Sequence, residues 1–131
     1  MRTARRPENR TLGQFGEDVA ARHLRKIGYN VLYRNFRAPH GGEVDLVCRH
    51  GAVLVFVEVK TRRTLLHGRP AAAVNLRKQR LIARGALAWL RMLQHPSVPF
   101  RFDIVEVVTD PRQPSISVVE DAFQLPEPWL V

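Results

Sequence analysis

The eight residues VLVFVEVK, from Val53 to Lys60, constrain this chain more than any other stretch. Side chains on a β-strand alternate between the two faces of a sheet. Val53, Val55, Val57 and Val59 therefore share one face, and four valines demand burial. Leu54 and Phe56 begin the other face, which ends in Glu58 and Lys60. A carboxylate and an ammonium thus stand two residues apart at one end of a strand that is otherwise apolar.

The flanking sequence supplies the rest of a small α/β domain. Leu12, Phe15, Val19, Ala20, His23, Leu24 and Ile27 recur at helical spacing, and Gly28 stands where that helix should stop. Thr11 is placed to cap it, with Glu17 and Asp18 in its early turns. Tyr29 to Phe36 is aromatic and β-branched and reads as a strand. After the turn-rich Ala38-Pro39-His40-Gly41-Gly42 come two more strands, Glu43 to Cys48 and Val53 to Lys60. The short link Arg49-His50-Gly51 makes them a hairpin. Thr61 to Pro70 is polar and basic, as in an exposed loop. A second helix, from about Val74 to Leu93, gathers Leu81, Ile82, Gly85, Ala86, Trp89, Leu90 and Leu93 in one sector. Arg77, Arg80, Arg84 and Arg91 lie opposite. His95 to Pro99 breaks it, Phe100 to Val108 is a strong strand, and Ser115 to Val119 is a shorter one. The expected organisation is a loose basic tail over 1–10, one domain over 11–120, and a tail over 121–131 that packs as irregular chain. The order of elements indicates a single three-layer α/β domain, a central mixed β-sheet flanked by helices.

Chemistry concentrates at the charged end of the hairpin. Alternation places Glu43 and Asp45 on one face of their strand, with Val44 and Leu46 on the reverse. Pairing through the short turn then sets Asp45 opposite or diagonal to Glu58. Two neighbouring carboxylates repel unless a cation or a proton relieves them. Oxygen ligands suit a hard ion, Mg²⁺ or Mn²⁺, with the Val59 carbonyl as an additional ligand. Lys60 is placed to orient a water or to stabilise phosphoryl oxygens. A surface ion pair would also account for Glu58 and Lys60 taken alone, contributing about 0–1 kcal/mol. The joint pattern with Asp45 in a strongly basic chain favours chemistry. Lys78 is a further candidate because it projects into the apolar sector of the second helix near Leu81 and Gly85, where snorkelling is the ordinary explanation. Gln79 is its alternative at the edge of that sector. Glu43 is read as a supporting acid or a partner of Arg62 or Arg37, and Asp103 as a structural hydrogen-bonding residue. His23 and His40 are not convincing ligands.

The chain of 131 residues carries 21 Lys and Arg against 12 Asp and Glu, a formal charge of +9. Such a field attracts polyanions, above all phosphate backbones. Arg62, Arg63, Arg69, Arg77, Arg80 and Arg84 follow directly on the Lys60 strand end and form the expected phosphate-tracking surface, although a solvated helix face would also hold the last three. No recognition helix or finger is visible, and few aromatics are free to stack on bases, so binding directed by DNA structure is expected over base readout. Cys48 is the sole cysteine, which excludes an intrachain disulfide and a cysteine-based zinc cluster. The longest apolar run, Ala52 to Val57, is too short to span a membrane, and no apolar stretch follows the basic N-terminus. A cytoplasmic protein without membrane association is expected.

The Asp45…Glu58-Val59-Lys60 arrangement resembles the PD-(D/E)XK nuclease superfamily. Four blocks are similar to the YraN family of small endonuclease-like bacterial proteins: Gly13-Gln14-Phe15-Gly16-Glu17-Asp18, Gly42-Glu43-Val44-Asp45-Leu46-Val47, Phe56-Val57-Glu58-Val59-Lys60-Thr61-Arg62 and Arg101-Phe102-Asp103. The resemblance runs from about Leu12 to Val108. It implies a restriction-endonuclease-like core of helix, three strands, helix and strand, with Asp45 and Glu58 as metal ligands and Lys60 as catalytic lysine. Val44 stands where the superfamily pattern has proline. Some related nucleases also use a glutamate of the first helix, the position Glu17 would fill. The implied function is metal-dependent hydrolysis of phosphodiester bonds in DNA, in branched or damaged structures. The alternatives are a catalytically silent nucleic-acid-binding accessory module and a partner-binding protein, the latter suggested by Trp129 in the apolar tail. Resolvase-like cutting would require a homodimer.

Overall fold

In the computed structural model, which describes residues 10–64, 74–94, 97–112 and 114–125, Thr11 caps the first helix, α1 (Leu12–Lys26). The Thr11 hydroxyl accepts the Gln14 amide at 3.1 Å, and the Gln14 side chain accepts the Thr11 amide at 3.0 Å. This reciprocal capping box satisfies within the chain two donors that would otherwise depend on water. Gly28, at φ +100°, turns the chain out of the helix into the first strand. Glu17 and Asp18 lie beyond the first turn, and Asp18 instead anchors Arg10 and Arg34.

The strands are β1 (Asn30–Arg37), β2 (Glu43–His50), β3 (Val53–Arg62), β4 (Phe100–Val108) and β5 (Ser115–Phe123), with α2 (Leu76–Leu93) between β3 and β4. They form one sheet in the order β1-β2-β3-β4-β5. Only β3 and β4 run parallel, because α2 carries the chain back to the starting edge. The mixed three-layer fold is the one the sequence implies, and β3 lies at its centre. Val55 and Val57 pack with Ala20, Ala21 and Leu24 of α1. Leu54 and Phe56 pack with Ile82, Ala83, Ala86 and Leu90 of α2 on the reverse.

The structure departs from simple alternation on β2. Val44 joins the α2-side core, whereas Leu46 joins the α1-side core. These residues therefore do not share a face, and the break falls at Asp45. The last strand is also longer than its sequence suggests. It continues to Phe123, three residues into the stretch read as irregular tail, and the Phe123 ring stacks on Phe102 with centroids 4.7 Å apart. Trp129 and most of the basic N-terminal tail lie outside the described residues.

Asp103 is fully buried and fully served. It accepts bonds from the Tyr29 hydroxyl at 2.7 Å, Arg101 at 2.9 Å and the Asp121 amide at 3.0 Å. The Tyr29 ring also stacks on His50 with centroids 4.3 Å apart. The network ties β4 to the start of β1, the end of β2 and the edge strand β5, confirming Asp103 as structural.

Two close approaches position the helices. α1 touches β3 at Gly16, where an added Cβ would lie 1.8 Å from the Thr61 hydroxyl oxygen and within 3 Å of the Thr61 Cβ and methyl carbons. Rotating Thr61 cannot relieve a contact with its own Cβ. α2 touches β2 at Gly85, which lies against Val44 and the backbone of Glu43. In an open helix, Gly→Ala would stabilise by about 1 kcal/mol. At Gly16, overpacking is the larger effect, typically about 1–3 kcal/mol. Gly16→Ala is therefore expected to lower the unfolding free energy in a urea titration by about 1 kcal/mol or more. Equal or greater stability would show that α1 does not depend on this approach.

Candidate active site

The site begins where the β2–β3 ladder stops. Pairing runs from His50↔Val53 to Leu46↔Val57, and the same register would set Asp45 opposite Glu58. Instead, the Asp45 carboxylate accepts the Val59 amide at 2.8 Å. A side chain takes the place of a backbone acceptor, so the strands part without leaving a donor unpaired. The divergence brings Asp45 into hydrogen-bonding contact with Glu58.

Glu58 is buried beside another acid. It is only 5% exposed, on the α2 face of β3 beyond Phe56. Burial and the Asp45 charge push its carboxyl up to about 8, while Lys78 and Lys60 favour its ionised form. Half-buried Lys60 lies two residues further along the strand.

Lys78, from the first turn of α2, lies between two acids. Its Nζ is 2.7 Å from Glu43 Oε1 and 3.6 Å from Glu58 Oε2. Asn75 holds that turn in place by accepting the Lys78 amide at 2.9 Å. Burial disfavours the charged lysine, but its bond to Glu43 and the nearby Glu58 charge outweigh that effect and raise its pKa. The Glu43 carboxyl is held below its ordinary range, chiefly by the hydrogen bond from Lys78. Arg37 holds the other Glu43 oxygen at 3.0 Å. Gln79 does not take the place of Lys78, because its side chain donates to the Val74 carbonyl at 3.1 Å.

Glu17 reaches the same region from α1. Burial, followed by the Asp45 charge, raises its pKa, and a hydrogen bond from Asn35 opposes the rise. Asn35 has φ +55° within β1, a conformation that asparagine tolerates better than most residues. Its participation was missed in the sequence, although an asparagine inside an aromatic strand is a recognisable anomaly. Asn75 had a clearer signal, as an asparagine directly before a helical run.

The structure thus gathers Asp45, Glu58, Glu17 and Lys78, with Lys60 two residues beyond Glu58 and Glu43 supporting Lys78. The arginines divide. Arg62 is half-buried and lies 3.3 Å from Glu106 Oε2, so among the described residues it pairs with Glu106 and not with Glu43. Arg63, Arg77, Arg80 and Arg84 are exposed, and Arg84 lies beside the Gly41-Gly42 turn. Arg69 lies outside the described residues. His40 is exposed on its loop, while His23 lines an apolar groove with Phe15, Val19 and Ile116. Among the described residues, no helix is long and apolar enough to cross a membrane.

Known proteins share this framework. The pattern of the uncharacterised protein family UPF0102 matches residues 16–107. A UPF0102 protein of Geobacter sulfurreducens is 48% identical over 118 residues, covering 89% of this chain and 91% of the relative. One from Rhodococcus opacus is 47% identical over 116 residues, covering 88% and 98%. Another from Geotalea uraniireducens is 43% identical over 126 residues, covering 95% and 98%. The matched span contains α1 from Gly16 onward, the diverging hairpin and the first turn of α2, and the chain belongs to UPF0102, the YraN family that its motifs resemble.

Proposed function

We propose that this protein is a metal-dependent phosphodiesterase that acts on DNA, directed by the structure of the DNA and not by its base sequence. The observation that carries this reading is the enforced proximity of Asp45 and Glu58 at the end of a buried strand. A silent module has no physical need to hold two carboxylates together at the edge of an apolar core, where charge is costly.

The donor chemistry fits a hard divalent cation. Among the described residues, no group of three or more His, Cys, Asp or Glu side chains is placed to hold a metal ion, so the protein's carboxylate ligands would number two. A pair of carboxylates leaves ligand positions for water and substrate, which suits Mg²⁺ or Mn²⁺. Asp45, Glu58 and the Val59 carbonyl are the groups that would hold the ion. Such an ion supplies Lewis-acid polarisation of a phosphodiester and acidifies its own water.

The protein's own side chains do the rest. Asp45 is fixed by the Val59 amide, so its carboxylate is oriented before any substrate arrives. Lys60 provides a cation close to Glu58, suited to holding a water or a phosphoryl oxygen in place. Glu17 adds acidic character from α1. Exposed Arg77, Arg80 and Arg84 on α2, with Arg63 after β3, give a surface for the DNA backbone in a chain of charge +9. The cytoplasm is the compartment in which such a reaction would meet its substrate, and paired cuts on a branched junction would require two copies of the chain.

Glu58→Gln tests the assignment. The panel is linear duplex, single strand, flap and four-way junction, each with Mg²⁺, Mn²⁺ or EDTA. The parent should cut in a metal-dependent manner, and the variant should lose about 100-fold or more of the rate while retaining DNA binding. Persistent cutting by the variant would displace the site from Glu58. Salt-sensitive binding without cutting by the parent would identify an accessory module instead.

The raised Glu58 pKa also predicts how stability depends on pH. With a folded value of about 8 against an ordinary 4.5, the folded state retains a proton that the unfolded chain releases. The stabilisation is complete below the unfolded value and is lost as pH rises through the folded one. Metal-free protein should therefore lose stability between about pH 4.5 and 8, with Glu58 contributing at most about 1.4 kcal/mol per pH unit. Urea titrations across that range should show a shallower slope for Glu58→Gln. Saturating Mn²⁺ should reduce the parent's slope, and identical slopes in all three samples would refute the conflict.

A further inference from the structure

Lys78 faces two acids that hold it unequally. The Glu43 contact is a 2.7 Å hydrogen bond, whereas the Glu58 contact is a 3.6 Å ion pair. Glu43 is itself steadied by Arg37, so it offers a fixed station about one side-chain swing from the acidic pair. Resting on the metal-site reading above, we propose that Lys78 is an internal counter-cation that competes with the divalent ion for Glu58, with Glu43 as the station to which it withdraws.

The residue type suits this role. A lysine carries a compact charge on a flexible four-carbon stem and can change partner by rotating, whereas an arginine fork is built for fixed bidentate contacts. The stem is half-buried in α2, and its backbone is pinned by Asn75, so movement is confined to the end of the side chain. With the site empty, the ammonium supplies part of the compensation that Glu58 lacks. With an ion present, two cations against one carboxylate repel, and the ammonium gains by resting wholly on Glu43. Lys60 does not share this arrangement, since among the described residues only Lys78 forms an ion pair with Glu58.

The test is Mn²⁺ affinity of the full chain, measured by calorimetry without substrate at one ionic strength and at one pH above the value of about 8 that burial and Asp45 give Glu58, where its carboxylate is ionised. Lys78→Met preserves the length of the stem and should tighten Mn²⁺ binding by about ten-fold. Glu43→Gln removes the station, leaves the ammonium to Glu58 and should weaken binding several-fold. A change in total charge would give the same two signs, so the double variant decides between the explanations. With Lys78 already replaced, Glu43→Gln should have no further effect beyond about two-fold. Circular dichroism checks that each variant is folded, and Lys78→Gln substitutes if Met is not tolerated. Independent, additive effects of the two substitutions overturn the proposal, as does unchanged or weaker binding by Lys78→Met. Binding by the parent that ignores Lys78 overturns this inference alone. No Mn²⁺ binding by either the parent or Lys78→Met overturns it together with the metal-site reading.

Discussion

The bond from the Val59 amide to the Asp45 carboxylate is the point on which the rest of the site depends. A β-ladder that simply ended inside the protein would leave backbone donors without partners, at a cost of about 1–3 kcal/mol each. Here a side chain completes the ladder, and the backbone of β2 is released to turn toward α2. The release explains why Val44 and Leu46 enter opposite cores and why Glu43 meets Lys78. It also leaves Asp45 beside Glu58. One hydrogen bond therefore ends the pairing, reorients a strand and creates the proximity of two acids.

Two buried carboxylates in the same sheet show what distinguishes structure from chemistry. Asp103 accepts bonds from Tyr29, Arg101 and a backbone amide, so its negative charge is answered on every side. Glu58 faces another acid, and its nearest listening cation, Lys78, is shared with Glu43. Both residues follow a phenylalanine or valine in an apolar strand, and what separates them in the sequence is Asp45 on the strand beside Glu58. In the structure, their partners separate them. A satisfied carboxylate locks strands together, while an unsatisfied one stores a preference for a proton or a cation.

Much of the fold was legible because it rests on local periodicity. The valine alternation identified β3 and its two faces, and Thr11 with Gly28 bounded α1. The proximity of Asp45 to Glu58 also followed, since the hairpin keeps its register up to Leu46↔Val57, the pair just before them. What escaped was non-local or broke the period. The reversal at Asp45 contradicts strict alternation, and it accompanies the close approach of β2 to α2 at Gly85. The assignment of Glu43 to Lys78 depends on the rotation of α2, which hydrophobic spacing alone does not fix. The end of β5 was missed because its polar residues Glu120 and Asp121 obscure strand character, whereas the Phe123–Phe102 stack supplies it through tertiary contact.

The block Gly13-Gln14-Phe15-Gly16-Glu17-Asp18 shows how closely fold and site are joined. Gln14 closes the capping box, and Asp18 ties α1 to Arg10 and to Arg34 of β1. Gly16 lets the helix descend onto Thr61, immediately after Lys60, and that descent carries Glu17 toward Asp45. Remove the close approach and Glu17 withdraws from the acidic pair, whatever the identity of its side chain. On the other side of the sheet, Gly85 does the same for α2, letting it settle against β2 so that Lys78 reaches both Glu43 and Glu58. The charges of the site belong to five elements, α1, β1, β2, β3 and α2, and two glycines set the spacing between the layers that hold them. Packing at positions without side chains thus decides the electrostatics of those with them.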